Sequence, residues 1–242
     1  MTQRRTVVTT SWDDGHRLDP RLADLLERYG VPGTFYIAPG NIEFAPDDRL
    51  PADGIRELAA RDNVEIGGHT LSHLRLPLIE EATAREEITA GKAELEDILG
   101  DPVVSFCYPR GEYRPVHVRQ VADAGFHLAR TVRRSSLATG PLLEMTTTVN
   151  AYAHRVDVPL ALRLAGGRPG RAAELYLHWD ELAIHWFDLC LERGGVYHLW
   201  GHSWEVDARG DWARLERVLD HISGRSDVRY VTNGALTGAG VA

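Results

Sequence analysis

Short β-branched apolar runs alternate along this chain with longer stretches whose apolar residues recur at helical spacing. Thr6 to Trp12 is apolar and β-branched and stops at Asp13-Asp14-Gly15, a turn signal, so it reads as a buried strand with two carboxylates at its C-terminal end. Asp19-Pro20 then offers an N-cap and a first-turn proline, Leu18, Leu22, Leu25, Leu26 and Tyr29 share a helical face, and Gly30 stands just past the helix end. Thr34 to Ala38 reads as a strand, Asp53 to Arg61 as a helix, and Val64 to Ile66 as a short strand leading into Gly67-Gly68-His69. Glu80 to Leu99 is a long amphipathic helix closed by Gly100, followed by strand Val103 to Cys107, helix Pro115 to Ala124 and strand Phe126 to Thr131.

Beyond Ser135 glycine and proline break the pattern, and it predicts a strand over Leu142 to Thr147 and a helix over Pro159 to Leu164. Glu174 to Glu192 is expected as one helix whose stripe of Leu175, Trp179, Leu182, Trp186 and Leu189 faces the core. Tyr197 to Gly201 reads as a strand and Trp212 to Ile222 as a closing helix. Strands and helices in alternation, joined by short connections, predict an α/β fold: a parallel sheet covered by helices, open or closed into a barrel. With 242 residues and no visible linker, a single domain over residues 1–242 is expected. In such a sheet the loops after the strands converge on one opening, and Asp13, Asp14, His69, the Tyr108 to Gly111 loop and His202 all fall there.

Composition narrows the function. Hydrophobic residues at 43% and charged residues at 26% are ordinary for a folded chain. A formal net charge of -8 argues against a nucleic-acid partner, which needs clustered Lys and Arg. Two cysteines, Cys107 and Cys190, do not make a disulfide framework, and both read as packing residues. No stretch is apolar for long enough to span a membrane, and the start MTQRRTVVTT lacks the apolar region of an export signal, so the cytoplasm is the expected location.

His69 and His73, four residues apart, have the spacing that puts two imidazoles on one side of a helical turn, and with one aspartate of the Asp13-Asp14 pair they make a three-ligand set. Three protein ligands leave positions open for water and a substrate oxygen, as a catalytic metal requires and a structural one does not. Adjacent aspartates leave a strand on opposite sides, so one of Asp13 and Asp14 can bind the metal while the other approaches the attacking water as base. His178 and His185 flank the expected long helix and need no ligand role, and His16 is as well explained by a surface turn.

Four ordered motifs, Ser11-Trp12-Asp13-Asp14-Gly15, His69-Thr70-Leu71-Ser72-His73, Phe106-Cys107-Tyr108-Pro109-Arg110-Gly111 and Leu199-Trp200-Gly201-His202, resemble those of the polysaccharide deacetylase family, the carbohydrate esterase family four or NodB-homology type. The resemblance implies a distorted (β/α) barrel of about seven parallel strands. It also implies Asp13 as catalytic base, Asp14, His69 and His73 as ligands of a divalent metal, and His202 as the acid that protonates the departing amine, with His198 as the competing choice. Zn²⁺ is the expected metal, with Co²⁺, Ni²⁺ or Fe²⁺ as alternatives.

The third motif departs from the family, in which an arginine stands where this chain has Cys107 and an aromatic stands where it has Arg110. The backbone N–H of Arg110 still suits an oxyanion, while its side chain is left either to orient Asp13 or to grip substrate. The family's Asp-rich motif is missing near Thr131-Val132-Arg133-Arg134, which suggests a replaced network around the base. Tyr108, Arg110, Trp200, Trp204 and Glu205 are the expected substrate-binding residues. The resulting expectation is a metal-dependent hydrolase taking an N-acyl group from an amino sugar, a sugar-containing small molecule or an oligosaccharide. The rivals are a related deformylase or amidase on a non-sugar C–N bond and a catalytically silent carbohydrate-binding protein.

Overall fold

In the computed structural model, which describes residues 6–153 and 158–238, the first apolar run forms strand β1 (Thr6–Asp14). Every residue of it is buried, because it lies mid-sheet with neighbours on both edges. The arginine pair Arg4 and Arg5 lies outside the described residues. Then follow α1 (Asp19–Arg28), β2 (Gly33–Ile37), α2 (Ala52–Ala59), β3 (Val64–Gly68), α3 (Glu81–Leu99), β4 (Ser105–Cys107), α4 (Pro115–Asp123) and β5 (Leu128–Arg130). The second half holds β6 (Val149–Asn150), α5 (Val158–Leu164), α6 (Pro169–Leu177), α7 (Trp179–Arg193), β7 (Gly195–Gly201), α8 (Ser203–Arg209), α9 (Trp212–Ile222) and β8 (Val228–Tyr230).

All strand pairs are parallel. Seven strands run in the order β5-β4-β3-β2-β1-β7-β6, and β8 pairs with Thr6 to Val8 of β1. Met145 bridges Arg130 beyond β5, and the same segment runs on to pair Val149 with β7. The two ends of the path thus approach each other, and the sheet curls into the distorted α/β barrel expected from the motifs.

The two faces of the curled sheet differ in chemistry. Val8, Trp12, Phe35, Ile37, Phe106 and Leu199 pack outward on helix residues such as Leu22, Leu26, Ile88, Leu95, Leu215 and Leu219. Burial of this outer layer, worth about 1.5–3 kcal/mol per large side chain, is the main source of stability. The alternate residues are polar and bond to one another: Thr9 Oγ1 donates to Asn233 Oδ1 (2.8 Å), Asn233 Nδ2 to Tyr36 Oη (2.8 Å), and Ser11 Oγ lies 2.8 Å from His198 Nε2.

Two expected elements differ from those observed, two observed elements were not expected, and one expected cap is not made. Leu142 to Glu144 forms a 3₁₀ turn, and the strand comes later, at Val149–Asn150, because Met145 and Thr147 spend their backbone N–H groups on Ala129 and Arg133. The long helix is two, broken at His178 (φ -116°, ψ 82°), although Leu175, Trp179, Leu182 and Trp186 of its stripe are buried and Leu189 half-buried. Helix α8 and strand β8 carry no strong periodicity and were not expected. Asp19 does not cap α1, whose N-cap is Leu18; its carboxylate accepts instead from His16 N (3.1 Å) and Ser203 Oγ (2.5 Å).

Candidate metal and catalytic site

Strand β1 ends with Asp13 turned into the barrel and Asp14 turned toward the loops, as alternation along a strand requires. Asp14 sits at φ 87°, a conformation costing about 1–3 kcal/mol for a non-glycine residue, and such strain gathers at functional sites. Its Oδ1 lies 3.5 Å from His69 Nε2 and 3.3 Å from His73 Nε2. All three side chains are buried, and their ligand atoms lie within 4.8 Å of one another. His69 donates Nδ1–H to the Cys107 carbonyl (2.7 Å), which fixes the ring so that its Nε2 faces Asp14. His73 Nδ1 is 3.3 Å from Glu43 Oε1, close enough for charge attraction but without hydrogen-bond alignment.

The charges of these three groups are coupled. Burial alone would raise the Asp14 carboxyl, but His202, His69 and His73 outweigh it and hold the group far below the carboxylate range. For His69, burial pulls the imidazole down, and Cys107 together with the bond to Asp14 carries it well above its ordinary value. His73 is lowered by burial and by the neighbouring His69.

The histidines do not share a helical turn, as their spacing had suggested. They sit on an irregular loop with Thr70 at φ 65° and His73 at φ 63°. Helix α3 supports that loop: Leu71 N donates to the Glu87 carbonyl (2.9 Å) and Ser72 N to Glu87 Oε2 (2.8 Å). Gly91 of α3 lies against the backbone of Thr70 and Leu71, where a Cβ would come within 2.4 Å of the Thr70 carbonyl carbon. Gly91→Ala in an exposed helix would gain about 1 kcal/mol. Here it must displace the ligand loop, so the expected result is a loss of roughly 1–3 kcal/mol in thermal or urea unfolding and weaker Zn²⁺ binding. A stabilised variant with unchanged Zn²⁺ affinity would show that the contact does not matter.

Asp13 is gripped from a place the sequence did not indicate. Arg130 Nη2 bonds both Asp13 carboxylate oxygens, and both side chains are buried. The guanidinium carbon lies 4.6 Å from the Trp200 ring centroid and 5.4 Å from that of Tyr36. In the sheet Arg130 of β5 is the register partner of Cys107 of β4, so the two side chains share one face. The small thiol, 3.7 Å from Asp13 Oδ2, leaves room for the arginine that reaches over from the next strand. Burial pushes the Cys107 thiol up, consistent with its reading as a packing residue. Arg110 does not orient Asp13: its side chain bonds Glu43 (2.7 Å), next to His73.

His202 caps α8, with Nε2 3.8 Å from Asp14 Oδ2 and Nδ1 2.7 Å from Glu205 Oε2. Burial would lower this imidazole, but Asp14 and the Glu205 hydrogen bond outweigh burial and raise it, so it holds a proton more readily than a free histidine. His198, the competing choice, lies deeper on Ser11, and burial and Arg130 drive it well below the usual range. Asp19, which holds Ser203 beside His202, is raised by burial to about 8 and is chiefly a neutral acid at pH 7.

These groups open onto a cavity of about 340 Å³ lined by Asp13, Asp14, His69, His73 and His202 together with Glu43, Arg110, Val132, Arg134, Tyr152, Trp200, Trp204 and Glu205. Tyr108 is not among its described lining residues: it is fully buried and its hydroxyl is spent on the Leu143 carbonyl (3.0 Å), so it does not bind substrate through its side chain. His16 is buried against Phe44 and is no surface residue. His178 is exposed and His185 half-buried, as a helix flank requires. A larger hollow of about 820 Å³ beside Ser135 to Ala138 and α7 has no carboxylate among its described lining residues, whereas the smaller cavity has four, Asp13, Asp14, Glu43 and Glu205. Among the described residues no helix is long and apolar enough to cross a membrane.

The family profile described as Polysaccharide deacetylase matches residues 1–129. No curated protein matches the chain. Among solved structures, a putative polysaccharide deacetylase from Mycobacterium smegmatis superposes with a TM-score of 0.70 at 21% identity, over 98% of this chain and 90% of that one. The chitin deacetylase of the fungal pathogen Colletotrichum lindemuthianum gives 0.60 at 20% identity over 96% and 87%. The Streptococcus pyogenes deacetylase PplD, solved with acetate, gives 0.53 at 21% identity over 59% of this chain, which spans only 63% of that relative's length. At these identities the likeness is one of fold.

Proposed function

Because this chain belongs to the polysaccharide deacetylase family, we propose that its site is a metal-dependent hydrolase centre that removes an N-acyl group, acetyl in the first instance, from an amino sugar. The substrate is a sugar-containing small molecule or an oligosaccharide, and residues 1–242 act as one catalytic domain. The observation that carries the reading is the juxtaposition of Asp14 Oδ1 with two imidazole Nε2 atoms beside a second carboxylate, Asp13, held by a buried arginine.

One carboxylate and two imidazoles with converging donor atoms fit a divalent ion such as Zn²⁺, and equally Co²⁺, Ni²⁺ or Fe²⁺. Asp14, His69 and His73 would hold it, and when bound it supplies Lewis-acid polarisation of the amide carbonyl and acidification of the attacking water. The remaining work falls to this chain. Asp13, fixed by Arg130, takes a proton from the water as its oxygen bonds to the acyl carbon. The backbone N–H of Arg110, a residue that lines the cavity, is assigned to the developing oxyanion. His202, proton-rich through Asp14 and Glu205, gives its proton to the amine as the C–N bond breaks. Trp200 and Tyr152 form an aromatic wall suited to a sugar face.

A catalytically silent carbohydrate-binding protein would have no use for a base, and the Asp13–Arg130 pair argues against it. The test of substrate class is acetate release from N-acetyl amino sugars, their oligomers, sugar nucleotides and non-sugar amides. Preference for a sugar-borne acetamide is expected. Turnover confined to non-sugar or formyl amides would replace this reading with the amidase one.

A further inference from the structure

Sequence places Trp204 in the substrate wall, but its polar atom points elsewhere. The indole Nε1–H donates to Asp14 Oδ2 at 2.9 Å. The two oxygens of Asp14 are thus divided: Oδ1 faces His69 and His73, and Oδ2 faces Trp204 and, at 3.8 Å, His202. Resting on the metal reading above, we propose that Trp204 is a positioning residue that makes Asp14 a one-oxygen metal ligand and so keeps the coordination shell open.

A carboxylate beside a divalent ion can bind through one oxygen or both, and the second oxygen occupies a position that a catalytic site needs for water or substrate. A donor on Oδ2 decides the matter in favour of Oδ1. Indole suits this task better than serine, histidine or tyrosine, because it donates only and offers no lone pair with which to compete for the ion. The hydrogen bond is charge-assisted, which makes it stronger than a neutral one.

The ring is well held. Helix α8 begins with four residues that each commit one polar group: His202 to Glu205, Ser203 to Asp19, Trp204 to Asp14, and Glu205 back to His202. Phe44 packs edge-on against the Trp204 ring at 6.1 Å and His202 lies tilted at 5.3 Å. The helix that carries the acid His202 therefore also sets the geometry of the metal ligand, coupling the two halves of the site.

Trp204→Phe keeps an aromatic ring and deletes only the N–H. Zn²⁺ affinity, measured by chelator competition, is expected to fall about 10- to 100-fold, the usual cost of losing a group that orients a ligand. The visible spectrum of the Co²⁺-loaded variant should also change, reporting a different coordination number. Unchanged affinity and an unchanged Co²⁺ spectrum would overturn the proposal and leave Trp204 as a wall. Independently of any variant, a crystal structure of the Zn²⁺-loaded protein should show Asp14 bound through Oδ1 alone, with Oδ2 still on Trp204; both oxygens on the ion would overturn it. Failure of the unaltered protein to bind Zn²⁺ would sink the metal reading itself, a result distinct from the other two.

Discussion

Asp13→Asn is expected to lower the rate of acetate release by about 10²- to 10⁴-fold, the usual worth of a positioned general base, while Zn²⁺ still binds one per chain. The substitution keeps shape and one acceptor oxygen for Arg130 but removes the proton acceptor. Because Asp13 is not part of the Asp14, His69 and His73 set, metal binding and turnover should separate. Stopped assays on the Zn²⁺-saturated variant, alongside metal analysis of the same sample, check this. A variant within tenfold of the unaltered protein would remove Asp13 from the role of base.

Arg130→Met should have the largest effect on the fold. Arginine and aspartate here are both buried, and removing one partner leaves an uncompensated charge at a cost of about 3–5 kcal/mol. For a chain of this size that corresponds to a drop in Tm of roughly 10 °C. The double variant Arg130→Met with Asp13→Asn discriminates this from a simple packing defect. If the lone charge is what destabilises, adding Asp13→Asn should restore much of the lost stability; if packing is, the losses should add.

Much of this site was legible because catalytic groups in a parallel sheet gather at strand ends, where a change of pattern also marks the end of the strand. Asp13-Asp14-Gly15 and the two histidines announce themselves by residue type and spacing. The helical-turn reading of His69 and His73 failed because the spacing of four fits an irregular loop with two positive-φ residues equally well, and the support from Glu87 and Gly91 of α3 is tertiary.

Arg130 was missed for a related reason. In Leu128-Ala129-Arg130 the arginine looks like a solvent-facing strand residue, and only the register of β5 on β4 shows that it shares a face with Cys107 and points at Asp13. The signal was present in pieces: an arginine gone from the third motif, a small residue in its place, and a charged residue ending the next strand. The role of Trp204 was invisible because α8 is too short to show periodicity, and nothing in a sequence tells an indole that stacks from one that donates to a carboxylate.

Hydrolysis here is expected to depend on a divalent cation held by Asp14, His69 and His73. The most direct measurement is acetate release from the best N-acetyl sugar substrate after exhaustive chelation and dialysis, and again after adding back one equivalent of Zn²⁺ or Co²⁺, with His73→Ala treated in parallel. Activity should be lost on chelation and restored by either ion in the unaltered protein, and restored by neither in His73→Ala. Full activity in the chelated protein, or equal recovery in His73→Ala, would contradict it.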